Sequence, residues 1–465
     1  MPKSRIERIQ DNVHGLMEFN DLETLVIEVL HTQEVQRLRR VKQLGLANLV
    51  FPAAEHSRFV HSIGTAHLAI RFARQIRSKC HDDYSSFLIP DKEVVRDFAI
   101  ASLCHDLGHG PLSHMWEREI IGENYDHILW IKKFGLNESD FSGKPKWHEL
   151  VGQALLAWED GEIHKLLEAH DNGFSDRIRS LLRGEYFIPY IPNLLVGDID
   201  MDRADYIKRD SFQTGVAYGK YDLEWLLSTC TLGVSDDNKL VVGFEAKKGI
   251  RVVEQILGAR KAMYDTVYNH KTIRSAEGMV GVFLKRLKYV LTNNPSFQNS
   301  NKLLEPIKKI VDREALEINE LLKLDDFFLW SLITSLTQSP LHIDTTLQDL
   351  GKRILSRTLF KQVNCSSEKL QHFLVATGDE PHKKIVECIK PYCDGEADYY
   401  YVLDEKRFKT ISRKGSGSYL IESDGKAIPF LYHKELKPFD GEIHEYRLFT
   451  VSEAIEDVKK LIEES

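Results

Sequence analysis

FAIASLCHDLGHGPLSH, residues 98–114, is the stretch that decides how this chain folds and what it can do. Its apolar residues recur at helical spacing, but His105, Asp106, His109 and His114 interrupt them. We predict a helix that places His105 and His109 on one face, one turn apart, and a Gly-Pro turn after it that brings His114 back beside them. Buried unpaired imidazoles and carboxylates are costly, so the pattern indicates a cavity in which a metal ion satisfies them.

Two distant segments carry matching groups. EHSRFVHSIGTAHLA, residues 55–69, has His61 at the start of a helical pattern, with Arg58 one turn earlier. VGDIDMDRADYIKRD, residues 196–210, interleaves carboxylates with basic residues; taken alone, such a run fits a solvated charged face equally well. Two imidazoles and two carboxylates form a donor set that suits Fe, Mn, Co or Zn and leaves positions open for water and phosphate oxygens.

The periodicity of the remaining chain predicts a mainly α fold. Apolar residues at three and four spacing run through residues 20–275 and continue beyond them, as in LETLVIEVLHTQEVQRLRRVKQL at 22–44. Near residue 395 the pattern changes to short aromatic or β-branched runs separated by turn residues. We therefore predict a small C-terminal α+β region, closed by a helix in SEAIEDVKKLIEE at 452–464.

Composition sets limits on the class of protein. The 465 residues are 42% hydrophobic and 28% charged, which is typical of a folded globular chain. A net charge of −8 argues against a protein that coats nucleic acid, although the basic run QRLRRVKQ at 36–43 is a local candidate surface. The six cysteines include no Cys-x-x-Cys pair, and no apolar run is long enough to span a bilayer, so we expect reduced thiols and a cytoplasmic location without membrane contact.

The order of the segments SRFVHSIG, CHDLGHGPLSH and DIDMDRADYIKRD closely resembles that of the HD-domain deoxynucleoside triphosphate (dNTP) triphosphohydrolases. The resemblance covers roughly residues 8–275 and, more loosely, 340–410. It implies a helical HD catalytic core at 1–275, a helical extension at an oligomer interface at 276–395, and the small C-terminal region at 396–465. The implied reaction converts a dNTP to a deoxynucleoside and inorganic triphosphate.

The resemblance also implies residue roles. The metal ligands would be His61, His105, Asp106 and Asp202, holding a divalent transition metal, with Mg as an optional second ion. His109 and His114 would face the α-phosphate, with His114 as the general acid. His148 and Glu149, in KWHELVG, match the pair that supports this acid; the alternative is the start of an amphipathic helix.

Further matches concern the nucleotide. Arg58, Arg203, Arg260 and Tyr206 match phosphate contacts, Gln43 and Asp210 match residues at the 3′-hydroxyl, and Tyr268 matches a ring against the 2′ carbon. Tyr264 stands near the base, where the family has a His; at helical spacing, both tyrosines would fit a core stripe equally well. The family is commonly a tetramer assembled by regulatory nucleotides, and the matching contacts are Gln36, Arg39, His270, Lys271, Arg357 and Lys361. His31 stands where the animal enzyme of the family has the residue that recognises guanine, so the identity of an activating nucleotide stays open.

Two other functions remain open at this point. One is an HD-domain phosphohydrolase for another nucleotide or phosphate ester, because the metal centre alone does not choose its substrate. The other is a nucleotide sensor or single-stranded nucleic-acid binder that uses Arg37 and Arg40 of the basic run.

Overall fold

The computed structural model describes residues 6–20, 23–80, 88–122, 125–294, 297, 301–338, 344–376, 380–411, 418–439 and 442–464. Within these ranges the fold is mainly α, as the periodicity predicts. The helices are α1 (Thr24–Leu30), α2 (Gln33–Gln36), α3 (Arg58–Cys80), α4 (Lys92–Cys104), α5 (His114–Trp116), α6 (His127–Lys133), α7 (Trp147–Ala157), α8 (Glu162–His170), α9 (Phe174–Leu182), α10 (Met201–Thr214), α11 (Leu223–Thr229), α12 (Ala246–Met263), α13 (Lys271–Asn293), α14 (Glu305–Val311), α15 (Ile318–Leu321), α16 (Asp326–Thr337), α17 (Thr345–Leu355), α18 (Ser367–Ala376), α19 (Pro381–Ile389) and α20 (Ile455–Glu463).

Short strands complete the chain. They are β1 (Glu7–Asp11), β2 (Gly15–Phe19), β3 (Cys230–Val234), β4 (Leu240–Glu245), β5 (Lys361–Gln362), β6 (Tyr401–Lys409), β7 (Tyr419–Ile421), β8 (Ala427–Pro429) and β9 (Glu442–Thr450). β1 and β2 form a hairpin, the second sheet has the order β3-β4-β7-β8, and the third has the order β5-β9-β6. The C-terminal α+β region is therefore confirmed.

The centre of the fold is a packed set of three helices, with α4 and α10 both against α3. Asp91 caps α4 by accepting the N–H groups of Glu93 and Val94. Gly64 lies where α3 meets α10, and a Cβ there would come within 1.9 Å of the Asp205 carboxylate. This glycine lets a buried carboxylate on α10 reach α3, which carries His61.

One expectation about this centre is wrong. We predicted that His105 and His109 lie on one helix, but α4 ends at Cys104 and the chain continues in turns, with His109 N–H donating to the Asp106 carbonyl at 3.2 Å. Gly108 in these turns passes so close to α7 that a Cβ would come within 1.9 Å of the His148 carbonyl oxygen. That close contact, formed between segments far apart in sequence, gives a physical reason why the helix does not continue.

The hydrophobic core extends over the whole described chain. One cluster of buried apolar side chains includes residues from Met17 to Ile462. The parallel pairing of β7 with β4 also joins the C-terminal region to a sheet begun at residues 230–245. The proposed boundaries at 275 and 395 stay a prediction. A search of the described helices finds none that is both long and apolar enough to cross a membrane.

Candidate active site

Three helices bring the four predicted metal ligands together. His61 lies in the first turn of α3, His105 and Asp106 follow α4, and Asp202 lies in the first turn of α10. One donor atom each from His61, His105 and Asp106 lie within 4.8 Å of one another. Asp202 Oδ1 is 3.0 Å from His61 Nε2 and 3.7 Å from His105 Nε2.

Both imidazoles are oriented so that Nε2 faces the centre of this group. His61 Nδ1 lies 2.7 Å from Asp205 Oδ2, and His105 Nδ1 lies 2.7 Å from the Ser102 carbonyl, so each can donate its Nδ1–H away from the centre. Both Nε2 atoms are buried, and their contacts with Asp202 Oδ1, at 3.0 and 3.7 Å, do not have hydrogen-bond geometry. A divalent metal would satisfy both lone pairs and the two carboxylates, so these residues fit the predicted ion.

The electrostatics around His61 agree with a cation site. Burial alone lowers the pKa of His61, but Asp202 and Asp205 raise it to about 10. Carboxylates that favour a proton at this position also favour a metal ion between them. Arg58 forms an ion pair with Asp106 and holds the pKa of that carboxyl well below its usual range despite its burial.

A second group, next to the first, consists of three imidazoles around Glu117. Its carboxylate lies 2.9 Å from His148 Nδ1, 3.4 Å from His114 Nδ1 and 3.5 Å from His109 Nδ1. Burial would raise the pKa of Glu117, but hydrogen bonds from the three histidines lower it well below its usual range. Burial, followed by the nearby Arg58 charge, lowers the pKa of His109 to about 4. A carboxylate and three imidazoles at this spacing can hold and transfer a proton.

Glu117 was missed in the sequence, where Glu149 was assigned to support the acid. In the structure Glu149 caps its own helix: its carboxylate accepts the Lys146 N–H at 3.1 Å and pairs with Lys146 Nζ at 3.1 Å. Glu117 instead contacts His148 directly. Its position three residues after His114, on the same side of a helical turn, is the signal that could have identified it.

The nucleotide residues line one cavity of about 630 Å³ together with His105, Asp106 and Asp202 of the first group and the three histidines of the second. All eight predicted substrate contacts are in its lining: Gln43, Arg58, Arg203, Tyr206, Asp210, Arg260, Tyr264 and Tyr268. Tyr268 donates its hydroxyl to Asp210 at 2.7 Å, and His56 Nε2 is 2.8 Å from the other oxygen of Asp210. The cavity therefore combines metal-ligand groups, a proton-transfer group, arginines and an aromatic wall.

The six predicted regulatory residues are not among the described residues that line this cavity. Arg39 donates to Gln36 at 2.8 Å, and Arg357 donates to the Leu49 carbonyl at 2.8 Å. His270 caps α13 by accepting the Thr272 N–H, while Lys271 and Lys361 are exposed. Their regulatory role stays a prediction.

The basic run at 36–43 is partly buried, although Arg39 and Arg40 are exposed. Arg37 is only 3% exposed and donates to the carbonyl of His109 at 2.6 Å. Arg40 pairs with Asp325 at 2.5 Å. Two charges assigned to binding therefore contact the protein itself, and Arg37 holds the turn that carries His109.

The chain is similar to several known proteins. No protein-family model matches the chain. The protein YwfO of Bacillus subtilis, whose function is uncharacterized, is 30% identical over 361 residues, which are 76% of this chain and 71% of YwfO. The deoxynucleoside triphosphate triphosphohydrolase SAMHD1 homolog of Dictyostelium discoideum is 32% identical over 278 residues, 58% of this chain and 48% of that relative, so the chain spans about half of it. The crystal structure of a phosphohydrolase from Bacteroides thetaiotaomicron has the same fold, with a TM-score of 0.71 and 24% identity over 96% of this chain and 100% of that one.

Proposed function

We propose that this chain, a member of the HD-domain phosphohydrolase family, hydrolyses a dNTP to a deoxynucleoside and inorganic triphosphate. The same family includes the SAMHD1 deoxynucleoside triphosphate triphosphohydrolases. One observation carries the proposal: the cavity of about 630 Å³ has metal-ligand, proton-transfer and nucleotide-contact residues in a single lining. A phosphate ester bound near the metal ligands and the proton-transfer residues would also contact the arginines and tyrosines assigned to the nucleotide.

The triphosphate is bound by positive charge that the chain as a whole lacks. Arg58, Arg203 and Arg260 are the cations we assign to the phosphates, and each is held in place by protein contacts. Arg203 lies 3.4 Å from Asp200, and Arg260 donates to the Thr410 carbonyl. Such fixed guanidinium groups lose little freedom when phosphate oxygens bind.

The sugar is assigned to other residues of the same cavity lining. Gln43 and Asp210 would hold the 3′-hydroxyl, and the Tyr268 ring would lie against the 2′ carbon, where it leaves no room for a ribose hydroxyl. The hydrogen bond from Tyr268 to Asp210 fixes the ring in that position. We therefore expect preference for deoxyribose.

Hydrolysis needs a nucleophile, charge stabilisation and a proton for the leaving oxygen. When bound by His61, His105, Asp106 and Asp202, a divalent metal supplies Lewis-acid polarisation of the phosphoryl group and lowers the pKa of water. Water adds to the α-phosphorus and loses a proton to solvent, the bond from phosphorus to the 5′ oxygen breaks, and His114 donates a proton to that oxygen, so the deoxynucleoside leaves and the three phosphates remain as intact triphosphate. Glu117 stabilises the positive charge on His114 before the transfer.

The chain is tested directly with Mn²⁺ or Mg²⁺ against each dNTP, the matching ribonucleotides and a mixture, with products separated by chromatography. We expect deoxynucleoside and triphosphate from dNTPs, less turnover of ribonucleotides, and no products from Asp106→Ala. Orthophosphate release, or cleavage of another phosphate ester alone, would support the other HD-domain phosphohydrolase instead. No cleavage even in the mixture contradicts the proposal.

We propose further that the chain forms a homotetramer in the cytoplasm, regulated by a nucleotide at Gln36, Arg39, His270, Lys271, Arg357 and Lys361. The resemblance to the family supports this assignment. Light scattering with and without nucleotides measures the assembly, and an unchanged monomer contradicts it.

A further inference from the structure

Asp326 is a buried carboxylate that joins two segments of the cavity wall from outside the predicted catalytic core. It is 2% exposed and is the first residue of α16. One oxygen accepts the Leu112 N–H at 2.8 Å, and the other accepts the Lys42 N–H at 2.9 Å. Lys42 precedes Gln43, and Leu112 lies two residues before His114, so one side chain connects both walls.

Capping α16 does not account for these contacts. Asp325 is the residue that caps this helix, because its side chain accepts the Phe328 N–H at 3.0 Å. Both oxygens of Asp326 instead bind backbone groups of other elements. The Asp326 carboxylate therefore connects α16 to the two segments of the cavity wall.

The turn that Asp326 holds has an unfavourable backbone. Leu112 and Ser113 have φ values of +48° and +52°, in the left-handed region that residues other than glycine rarely adopt. Residues stay in this region when surrounding contacts hold them there. Arg58 donates to the Ser113 hydroxyl at 3.1 Å, so Asp326 and Arg58 hold the turn from two sides.

His114 depends on this turn for its position. Its side chain is 69% exposed, so few packing contacts orient it, and it follows the turn directly. Its ring centre is 5.1 Å from that of His109 and 5.2 Å from that of His148. A shift of the turn would move His114 relative to these rings and to Glu117.

We propose that Asp326 is a positioning residue that fixes the backbone before His114 for proton donation, an inference that rests on the proposed function. It acts through His114 and touches no substrate. The helical extension at 276–395 thereby contributes to the active site through this side chain. A misplacement of about 1 Å can lower a rate by about 100-fold, so the effect is measurable.

The experiment is a double-mutant cycle on dNTP hydrolysis, with kcat and KM measured for wild type, Asp326→Ala, His114→Ala and the double variant. If Asp326 acts through His114, we expect Asp326→Ala to lower kcat about tenfold or more in the wild-type background and less than about twofold in the His114→Ala background. Asp326→Asn keeps one acceptor and should lie between wild type and Asp326→Ala.

Asp344→Ala is the matched control, since Asp344 is a largely buried cap on α17 that accepts the Leu347 N–H at 2.8 Å and pairs with Arg286 at 2.7 Å. It should lower the melting temperature but not kcat. Equal kcat losses for Asp326→Ala and Asp344→Ala, or an equal Asp326→Ala loss in both backgrounds, overturn the inference alone. A wild-type chain that cleaves no dNTP overturns the proposed function and the inference with it.

Discussion

Glu117 is the carboxylate on which the three imidazoles of the cavity converge. A carboxylate in this position pairs with the imidazole that donates the proton, and both of its oxygens are already hydrogen-bonded to histidines. Glu149 is only one residue from His148 but binds Lys146. The two carboxylates are therefore predicted to differ in their effect on catalysis.

We expect Glu117→Gln to lower kcat for dNTP hydrolysis by about 100-fold or more, because a neutral amide cannot stabilise the acid. Glu149→Gln should have a much smaller effect, since it weakens a helix cap. Metal content, measured on both purified variants, should equal that of wild type. A larger loss for Glu149→Gln would instead support the role assigned from the sequence.

His67 connects local charge to stability. Burial, together with the nearby His14 and Arg71 charges, lowers its pKa to about 4, compared with 6.5 for an ordinary imidazole. The unfolded chain therefore binds a proton below pH 6.5 that the folded chain does not bind until about pH 4. Stability from this residue is fully present above pH 6.5 and falls as the pH drops through that window, by up to about 1.4 kcal/mol per pH unit.

His67→Gln removes this titration. In metal-free protein, we expect the free energy of unfolding of wild type to fall more steeply than that of His67→Gln between pH 6.5 and pH 4. Urea denaturation at several pH values measures the difference. Parallel curves for the two proteins would show that His67 titrates normally in the folded state.

At the level of single residues, the sequence identified the functional groups whose neighbouring residues form a recognisable pattern. His105 and Asp106 were recognisable because polar groups interrupt an apolar run. Asp205 was not, since its role depends on contacts with His14 and His61, 191 and 144 positions away. Such long-range ion pairs leave no local pattern in a single sequence.

The N-terminal hairpin carries a buried charge that connects it to the predicted metal site. Asp11 at the end of β1 accepts from Arg209 at 2.9 Å, and Arg209 donates to Asp205 at 2.8 Å. Asp205 in turn holds His61 Nδ1 at 2.7 Å. The hairpin therefore reaches a predicted metal ligand through two buried side chains.

We expect Asp11→Asn to weaken metal binding about tenfold, because contacts behind a ligand typically contribute 10- to 100-fold in affinity. Glu18→Gln is the control on the same hairpin, since Glu18 pairs with Arg8 at an exposed position. Titration of metal-free protein with Mn²⁺ measures both affinities. Equal affinities for wild type and Asp11→Asn would show that the hairpin does not influence metal binding through Asp11.

The long helices were predictable because apolar periodicity continues over several turns, as in α3 and α13. The hairpin was not, since each strand has five residues and the charge of the buried Asp11 is paired with Arg209 on α10, far away in the sequence. The predicted helix through His109 was wrong for a similar reason. Gly108 contacts the backbone of α7, and nothing within residues 98–114 indicates that contact.

At the scale of the whole molecule, the C-terminal region supports residues of the cavity wall. Phe408 on β6 stacks on Tyr264 with ring centres 3.9 Å apart, and Arg260 donates to the Thr410 carbonyl. Tyr264 and Arg260 both line the cavity. Sequence patterns indicated a separate small region. They did not indicate that this region supports residues far earlier in the chain, such as Arg260, which is 150 positions from its partner Thr410.

Phe408→Leu tests whether this support sets nucleotide binding. The variant keeps an apolar side chain but loses the stacked ring, and a stacked pair contributes about 0.5–1.5 kcal/mol beyond its buried area. Because Tyr264 and Arg260 would then be held less firmly, we expect KM for dNTPs to rise about two- to tenfold while kcat changes less than about twofold. Tyr432→Leu in the same region, where the ring is 74% exposed, should leave both constants unchanged. A fall in kcat at constant KM would mean that the C-terminal region acts on the chemical step and not on binding.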